Sequence, residues 1–234
     1  AFHYLGTYQT EEEAAKAPND PNAQGRKKHA GDAIFEDVNN DGQLDSKDMI
    51  FMGYVRPDKV GGIINTLKYK GLTVRIVMDW AMGHVIDNGF KGQIMGSSRN
   101  NNNAIKEAMT NSWQSANDGS KYPKYTVQSD YDYQYRNHMR WDNQIGSSAS
   151  GSTNNSLNFS KGDYLAFREV SLSYMLPLSW IRKMRLSAVE VFAGAYNIGY
   201  IKKYDGMFPE IYTGVDYGIY PRPRQYNMGV KINF

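Results

Sequence analysis

Tyr226-Asn227-Met228-Gly229-Val230-Lys231-Ile232-Asn233-Phe234 is the stretch whose reading decides the fold. Apolar side chains at Tyr226, Met228, Val230, Ile232 and Phe234 alternate with polar or small ones at Asn227, Gly229, Lys231 and Asn233. A period of two marks a β-strand with one apolar and one polar face, because successive Cβ atoms leave the backbone on opposite sides. A soluble sandwich and an outer-membrane barrel both accommodate such a strand. The barrel has the stronger physical reason for it. Its outer face meets lipid, its inner face meets water, and about ten residues cross the bilayer at a tilt.

The same alternation recurs upstream. Leu72, Val74, Ile76, Met78, Trp80 and Met82 define one face of a second stretch. Thr73, Arg75, Asp79, Ala81 and Gly83 share the other, with Val77 its one apolar member. An Arg and an Asp opposite a wholly apolar face suit a wet lumen; in a sandwich core, unpaired charge is expensive. Val60 to Tyr69 precedes this strand across a Lys70-Gly71 turn. Asp163 to Leu176 sets Val170, Leu172, Tyr174 and Leu176 against Ser171 and Ser173, and stops at Pro177. After a turn segment at 178–186, Ser187 to Ile201 reads as the next strand, with Glu190 inside it. Counting the short piece Phe2 to Tyr8, about six strands are expected. Short turns and long loops join them alternately, the loops falling at about 9–56, 87–161 and 202–221. If Phe234 lies at the periplasmic end, the turns at 70–71 and 178–186 join it there, and every long connection lands on the opposite side.

The totals agree with this reading. Among 234 residues, 27 Lys+Arg face 24 Asp+Glu, a balance too mild and too scattered to suggest nucleic acid as a partner. The absence of Cys removes disulfides, thiolate metal sites and cysteine nucleophiles together. No window approaches eighteen continuous apolar residues, so no transmembrane helix is expected, although strands can still cross a membrane. The 18 Tyr and an aromatic content of 13% fit interfacial girdles or sugar-stacking surfaces. The opening Ala1-Phe2-His3-Tyr4 carries no signal peptide and reads as the interior of a longer polypeptide.

The sharpest local motif is Asp37-Val38-Asn39-Asn40-Asp41-Gly42-Gln43-Leu44-Asp45-Ser46-Lys47-Asp48. Oxygen-bearing side chains recur around a Gly that permits a sharp turn, the oxygen-rich pattern that Ca²⁺ favours. The candidate ligands are Asp37, Asn39, Asp41, Gln43 through its backbone carbonyl, Asp45 and Asp48. Leu44 is placed to tuck the loop into the body. The last position is Asp rather than Glu, and no clear helix precedes the loop. An Asx-rich turn that needs no metal explains the same residues. Elsewhere, Thr10 and Glu13 predict a capped helical turn. Ile105, Ala108, Met109 and Trp113 predict a helix within the long 87–161 segment. Tyr122, Tyr125, Tyr131, Tyr133, Tyr135 and Trp141 follow it, placed either to stack on a ligand or to form the loop's own core.

Taken in order, several stretches resemble the C-terminal part of SusC/RagA-like TonB-dependent outer-membrane transporters. They are Gly31-Asp32-Ala33-Ile34-Phe35-Glu36-Asp37 leading into Asn39-Asn40-Asp41-Gly42, then Gly162-Asp163-Tyr164-Leu165 with Val170-Ser171-Leu172-Ser173-Tyr174 and Leu176-Pro177. Tyr196-Asn197, Lys203-Tyr204-Asp205-Gly206, Pro209-Glu210, Tyr220-Pro221-Arg222-Pro223-Arg224 and the closing strand complete the series. The resemblance implies an all-β, antiparallel transmembrane barrel of about 22 strands with a plugged lumen. Residues 1–234 are its expected C-terminal portion, with the long loops extracellular. It further implies the outer membrane of a Gram-negative bacterium and a SusD-like surface lipoprotein. It implies energy from TonB through an N-terminal part outside this sequence, and import of large nutrients, usually oligosaccharides and sometimes peptides. No enzyme activity is expected, because His3, His29, His84 and His138 stand apart and the carboxylates form no pair beyond the Asp-rich loop. The alternative is a secreted calcium- and glycan-binding β-protein of the cell surface.

Overall fold

Seven strands carry the architecture: β1 (Tyr4–Thr7), β2 (Ala33–Phe35), β3 (Lys59–Tyr69), β4 (Leu72–Met82), β5 (Tyr164–Met175), β6 (Ala188–Lys202) and β7 (Gln225–Asn233). The last five form one antiparallel sheet in the order β7-β6-β5-β4-β3. They match five of the six strands expected from alternation. The sixth, at the start of the chain, does not join them: β1 pairs with β2 in a separate two-stranded sheet. The structure, a computed structural model, describes residues 1–91, 97–98, 106–127, 130, 132, 136 and 155–234. These fall into two units, one of residues 1–53, 86–160 and 213–218, the other of residues 54–85, 161–212 and 219–234.

The second unit contains the five-stranded sheet. β3 and β4 pair without interruption from Lys59 opposite Met82 to Tyr69 opposite Leu72, leaving Lys70 and Gly71 as a two-residue hairpin loop. Both have positive φ (45° and 86°), the primed turn whose twist matches that of paired strands. Gly71 suits this conformation, and a Cβ there would lie 2.8 Å from the Met175 carbonyl oxygen. β5 and β6 are joined by a helical turn, Leu178–Ile181, a 3-10 turn, Arg182–Met184, and a left-handed Arg185. Pro177 stops β5 and stands at the turn's N-terminus, where its missing N–H costs nothing. The register thus gathers both short turns at one end of the sheet and the long connections at the other.

Two bulges interrupt this regularity at one level. Val77 faces Glu169 and Met78 faces Phe167, so Arg168 is the extra residue on β5. On its other side Tyr196 faces Glu169 and Gly199 faces Phe167, with Asn197 at φ 51°. A bulge leaves one residue unpaired and re-aims its side chain.

The first unit is built differently. Phe2, Ala33, Phe35 and Leu44 form a small core with Tyr4 packed against it. Phe2 and Tyr4 meet the Phe35 ring edge-on at 6.2 and 6.1 Å. Leu44 is buried, as its position in the Asp-rich loop suggested. The short helix Glu11–Ala14 is capped by Thr10, whose hydroxyl accepts from Glu13 N–H. Glu13 reaches back to Gln9 N–H at 2.6 Å, one residue before the cap. The second predicted helix spans Lys106–Asn111. It buries Ala108 against Tyr122, while Met109 is 52% exposed and Trp113 lies beyond the helix end. The apolar seam read across Met109 and Trp113 is therefore narrower than expected. Ile105, Tyr131, Tyr133, Tyr135, Trp141 and His138 lie outside the described residues.

Candidate functional site

The five-stranded sheet has two chemically distinct faces. Register places Leu72, Val74, Ile76, Met78 and Trp80 on one face with Val170, Leu172 and Tyr174 of β5. Val191, Ala193, Met228 and Val230 extend that face across β6 and β7. The outer strands leave this face open, with Met228 86% exposed, Val230 56% and Leu67 of β3, opposite Val74, 62%, while Leu72 to Trp80 of β4 are half-buried among their neighbours. A water-soluble sandwich would bury this face under a second layer, which the secreted β-protein alternative requires. Asn65 of β3, opposite Ile76, is the one amide within this apolar field.

The opposite face carries the charges. Lys231 lies opposite Glu190 and its Nζ stands 3.3 Å from the carboxylate. Arg75 reaches Glu169 at 3.4 Å, and Ser171 donates a hydrogen bond to the same carboxylate at 2.7 Å. Thr73, Ser173 and Asn227 line the same surface. Arg75 and Lys231 thus each have a carboxylate partner within the wall, which lets these ionised groups occupy a partly covered surface.

The densest part of this face lies at the end of the long connections. The bulged Arg168 grips Asp79 with Nε and Nη2, and its Nη1 lies 2.5 Å from Glu210 Oε1. Tyr200 donates its hydroxyl to the same oxygen at 2.6 Å. Arg222 approaches Oε2 of Glu210 at 3.3 Å. The Glu210 side chain is only 1% exposed. Around this network Tyr164, Tyr200 and Phe208 stack edge-to-face at 5.9 Å, and the two guanidinium groups lie over Tyr200 and Phe208. Two cations and two carboxylates thus pin the 203–212 segment and Arg222 to the wall. Planar, bidentate pairing of this kind is a property of Arg that Lys does not reproduce. Nearby, Asp163 accepts from Gly83 N–H at 2.8 Å and from Lys203 Nζ at 3.1 Å, tying together the ends of β4, β5 and β6.

Sequence reasoning did not single out Arg168 as a hub. Strict alternation cannot place both Arg168 and Glu169 on one face. The adjacent charges in an otherwise alternating strand were the available signal, and the bulge is its explanation. Glu210, Arg222 and Asp163 occur in the stretches that carried the family resemblance, without a role.

The Asp-rich loop belongs to the first unit. Asp37 accepts from Asp41 N–H (3.2 Å) and Gly42 N–H (2.8 Å), and Asp41 accepts from Gln43 N–H (2.9 Å). Asn39 accepts from Asp41 N–H (3.0 Å) and donates to the Asp41 carboxylate (2.9 Å). Asp45 caps the 3-10 turn Ser46–Asp48 through Lys47 N–H (2.7 Å). Buried Asp48 accepts from Val38 and Asp45 N–H groups (3.0 and 2.8 Å). Gly42 (φ 78°) and Asn40 (φ 57°) supply the turn conformations. Lys47 Nζ stands 3.5 Å from Asp45 and 3.8 Å from Asp41. Among the described residues, no three acidic or histidine side chains gather at metal-binding distance. The candidate ligands share one loop, with their oxygens turned largely onto backbone N–H groups. Tyr122, one of the loop aromatics, is buried in the loop's own small core and donates its hydroxyl to Glu107 at 2.5 Å.

No protein-family model matches the chain. Two curated relatives do, both from Formosa agariphila. TonB-dependent receptor P3 is 23% identical over 245 residues, and TonB-dependent receptor P26 is 23% identical over 244. The alignments take in 100% and 99% of this chain but 22% of each relative, so the chain spans about a fifth of their length. Among solved structures, the RagAB peptide transporter superposes with a TM-score of 0.70 at 18% identity, over 100% of this chain and 22% of that one. The RagAB peptide importer in its closed-closed state gives 0.63 at 19% identity, with the same coverage. These relatives are receptors and transporters, not enzymes, in keeping with the expectation of no catalytic activity. From end to end, in sequence and in fold, the chain is similar to a SusC/RagA-like segment of TonB-dependent receptors.

Proposed function

We propose that this chain forms one arc of the wall of a transporter in the outer membrane of a Gram-negative bacterium. The observation that carries the reading is the five-stranded sheet with an exposed apolar face and an ion-paired polar one. Lipid meets the first and the lumen the second. An open sheet edge is intolerable in hydrocarbon, so further strands of the same polypeptide continue the wall beyond β3 and β7. The long connections become extracellular loops, and the short turns face the periplasm. The cargo is a large nutrient, an oligosaccharide in the first reading and a peptide in the second. The second is favoured by the likeness to RagAB, a peptide transporter. A SusD-like lipoprotein covers the external end, and TonB acts through a plug elsewhere in the polypeptide. Membrane extraction tests the wall: the full-length protein stays in the pellet through an alkaline wash and leaves it in detergent. Release into buffer as a folded monomer would sink the reading. Growth of a deletion strain on oligosaccharides against peptides decides the cargo, and co-purification from detergent tests the lipoprotein.

The Asp37–Asp48 loop is proposed to take Ca²⁺. What supports this is the ligand spacing, the turn at Gly42 and the exposure of Asn39, Asp41 and Gln43. A carboxylate oxygen that accepts one N–H bond keeps a second lone pair for a cation. The expected outcome is that a chelator speeds proteolysis within residues 31–53 and that Asp41→Ala removes the difference. Identical cleavage with and without chelator leaves the loop as a turn that needs no metal.

A further inference from the structure

Resting on that wall reading, we propose that the turn between β5 and β6 is a seat for anionic phospholipid headgroups at the short-turn rim. No Asp or Glu occurs anywhere from 170 to 189, while Arg182, Lys183 and Arg185 fall within four residues. All three are exposed, and none has an ion-pair partner among the described residues. The same turn exposes Leu178 (59%), Trp180 (63%) and Met184 (59%), and is anchored by Ile181, which is buried. The β3–β4 turn lies beside β5 at this end, since Met175 N–H bonds the Gly71 carbonyl at 2.9 Å. It adds Lys70, over the ring of exposed Tyr69, with no acidic partner among the described residues.

The opposite end of the sheet shows what the chain does with cations it neutralises itself. There Arg168 has Asp79 and Glu210, Arg222 has Glu210, and Lys203 has Asp163. At the short-turn rim the cations repel one another and the counter-charge must come from outside. Exposed Trp and Leu beside Lys and Arg form the side-chain set that settles at a bilayer's polar–apolar boundary. A lipid phosphate offers a guanidinium a charge-assisted, paired acceptor that neutral headgroup atoms do not. Attraction to anionic lipid then adds per cation within a screening length of the surface.

The test uses the full-length transporter in nanodiscs of phosphatidylcholine with a minority of phosphatidylglycerol, counting retained lipids by native mass spectrometry. The wild type is expected to retain phosphatidylglycerol over phosphatidylcholine by on the order of tenfold, less at high salt. The triple variant Arg182→Gln, Lys183→Gln, Arg185→Gln is expected to fall to near parity, while Lys231→Gln on the polar face keeps the preference. The three single variants, each losing part of it, carry the same test should the triple variant fail to assemble. Equal retention in wild type and variants overturns the proposal alone, and so does displacement of the lipid by soluble glycerol 3-phosphate. Binding of polyglutamate at this turn without a phosphatidylglycerol preference overturns it in favour of a protein partner. Failure of the wild type to enter discs of either lipid overturns the wall reading, and this proposal with it.

Discussion

The sheet and the loop unit hold their shape by different means. In the sheet, β3 to β7 are long, continuous and paired residue by residue, so each side chain's face follows from its place in the strand. In the first unit the regular elements are short, and side chains bonded to backbone N–H groups carry the order. Asp48, Asp45, Asp37 and Thr10 each close a turn in this way. Backbone pairing is indifferent to most side chains, whereas a cap depends on one. A wall therefore tolerates sequence drift that a capped loop does not, except where the wall departs from its own pattern.

The largest effect should come from such a departure. Arg168→Met removes the partner of Asp79 and one of the three partners of buried Glu210, and should cost about 3–5 kcal/mol in thermal unfolding of the full barrel. Adding Glu210→Gln should recover part of that loss, because the two groups share one network. Strictly additive costs would show that the network is a surface decoration. Next in size, Val230→Arg places a charge on the apolar face and should cost about 2–4 kcal/mol if that residue sits near the bilayer midplane. Asn227→Arg, on the polar face of the same strand, should be nearly silent. Heat-modifiable gel mobility of the membrane-assembled protein reads both. Equal tolerance at the two positions would remove lipid from one side of the sheet.

In the loop unit, Asp48→Ala leaves the Val38 and Asp45 N–H groups without their acceptor. Asp48 is fully buried, so water cannot easily replace it, and the loss should be about 1–3 kcal/mol. Measured with chelator present, this appears as faster proteolysis within 31–53 while the melting of the sheet stays unchanged. A matching drop in sheet melting would mean that the two regions unfold together.

The same contrast explains what was legible in the sequence. Alternation at 72–82 and 226–234 was enough to find strands, faces and the grouping of long connections, because period two survives any loop content. The Thr10 cap and the inward Leu44 were legible for a similar reason, since each is a short-range pattern. The pairing of β1 with β2 was not, because it joins residues about thirty apart through loops that carry no period. Arg168 was hidden by its bulge, and its partner Glu210 by a loop. Spacing marked Asp37 to Asp48 as rich in oxygen ligands but did not say how those oxygens are satisfied. The same side chains serve a cation or a backbone N–H, and only the path of the chain decides.

The smallest effect concerns pH. Asp118 accepts N–H bonds from Gln114 (2.7 Å), Ser115 (3.1 Å) and Ser120 (2.9 Å), and chiefly the Gln114 bond holds its carboxyl down at about 2. A carboxyl depressed in the fold favours the folded turn while it is ionised. Its contribution is thus complete above the ordinary value of 3.8 and fades as pH falls towards about 2. Amide exchange at Gln114, Ser115 and Ser120, corrected for the intrinsic pH dependence of exchange, should lose protection between those limits. Asp118→Asn keeps an acceptor oxygen but not the charge, and should flatten that dependence. Strand amides such as Val191, bonded only to other backbone, should show no corrected change over the same range. If Val191 loosened in step with Ser115, acid would be acting on the whole molecule, and one carboxylate would no longer account for the turn.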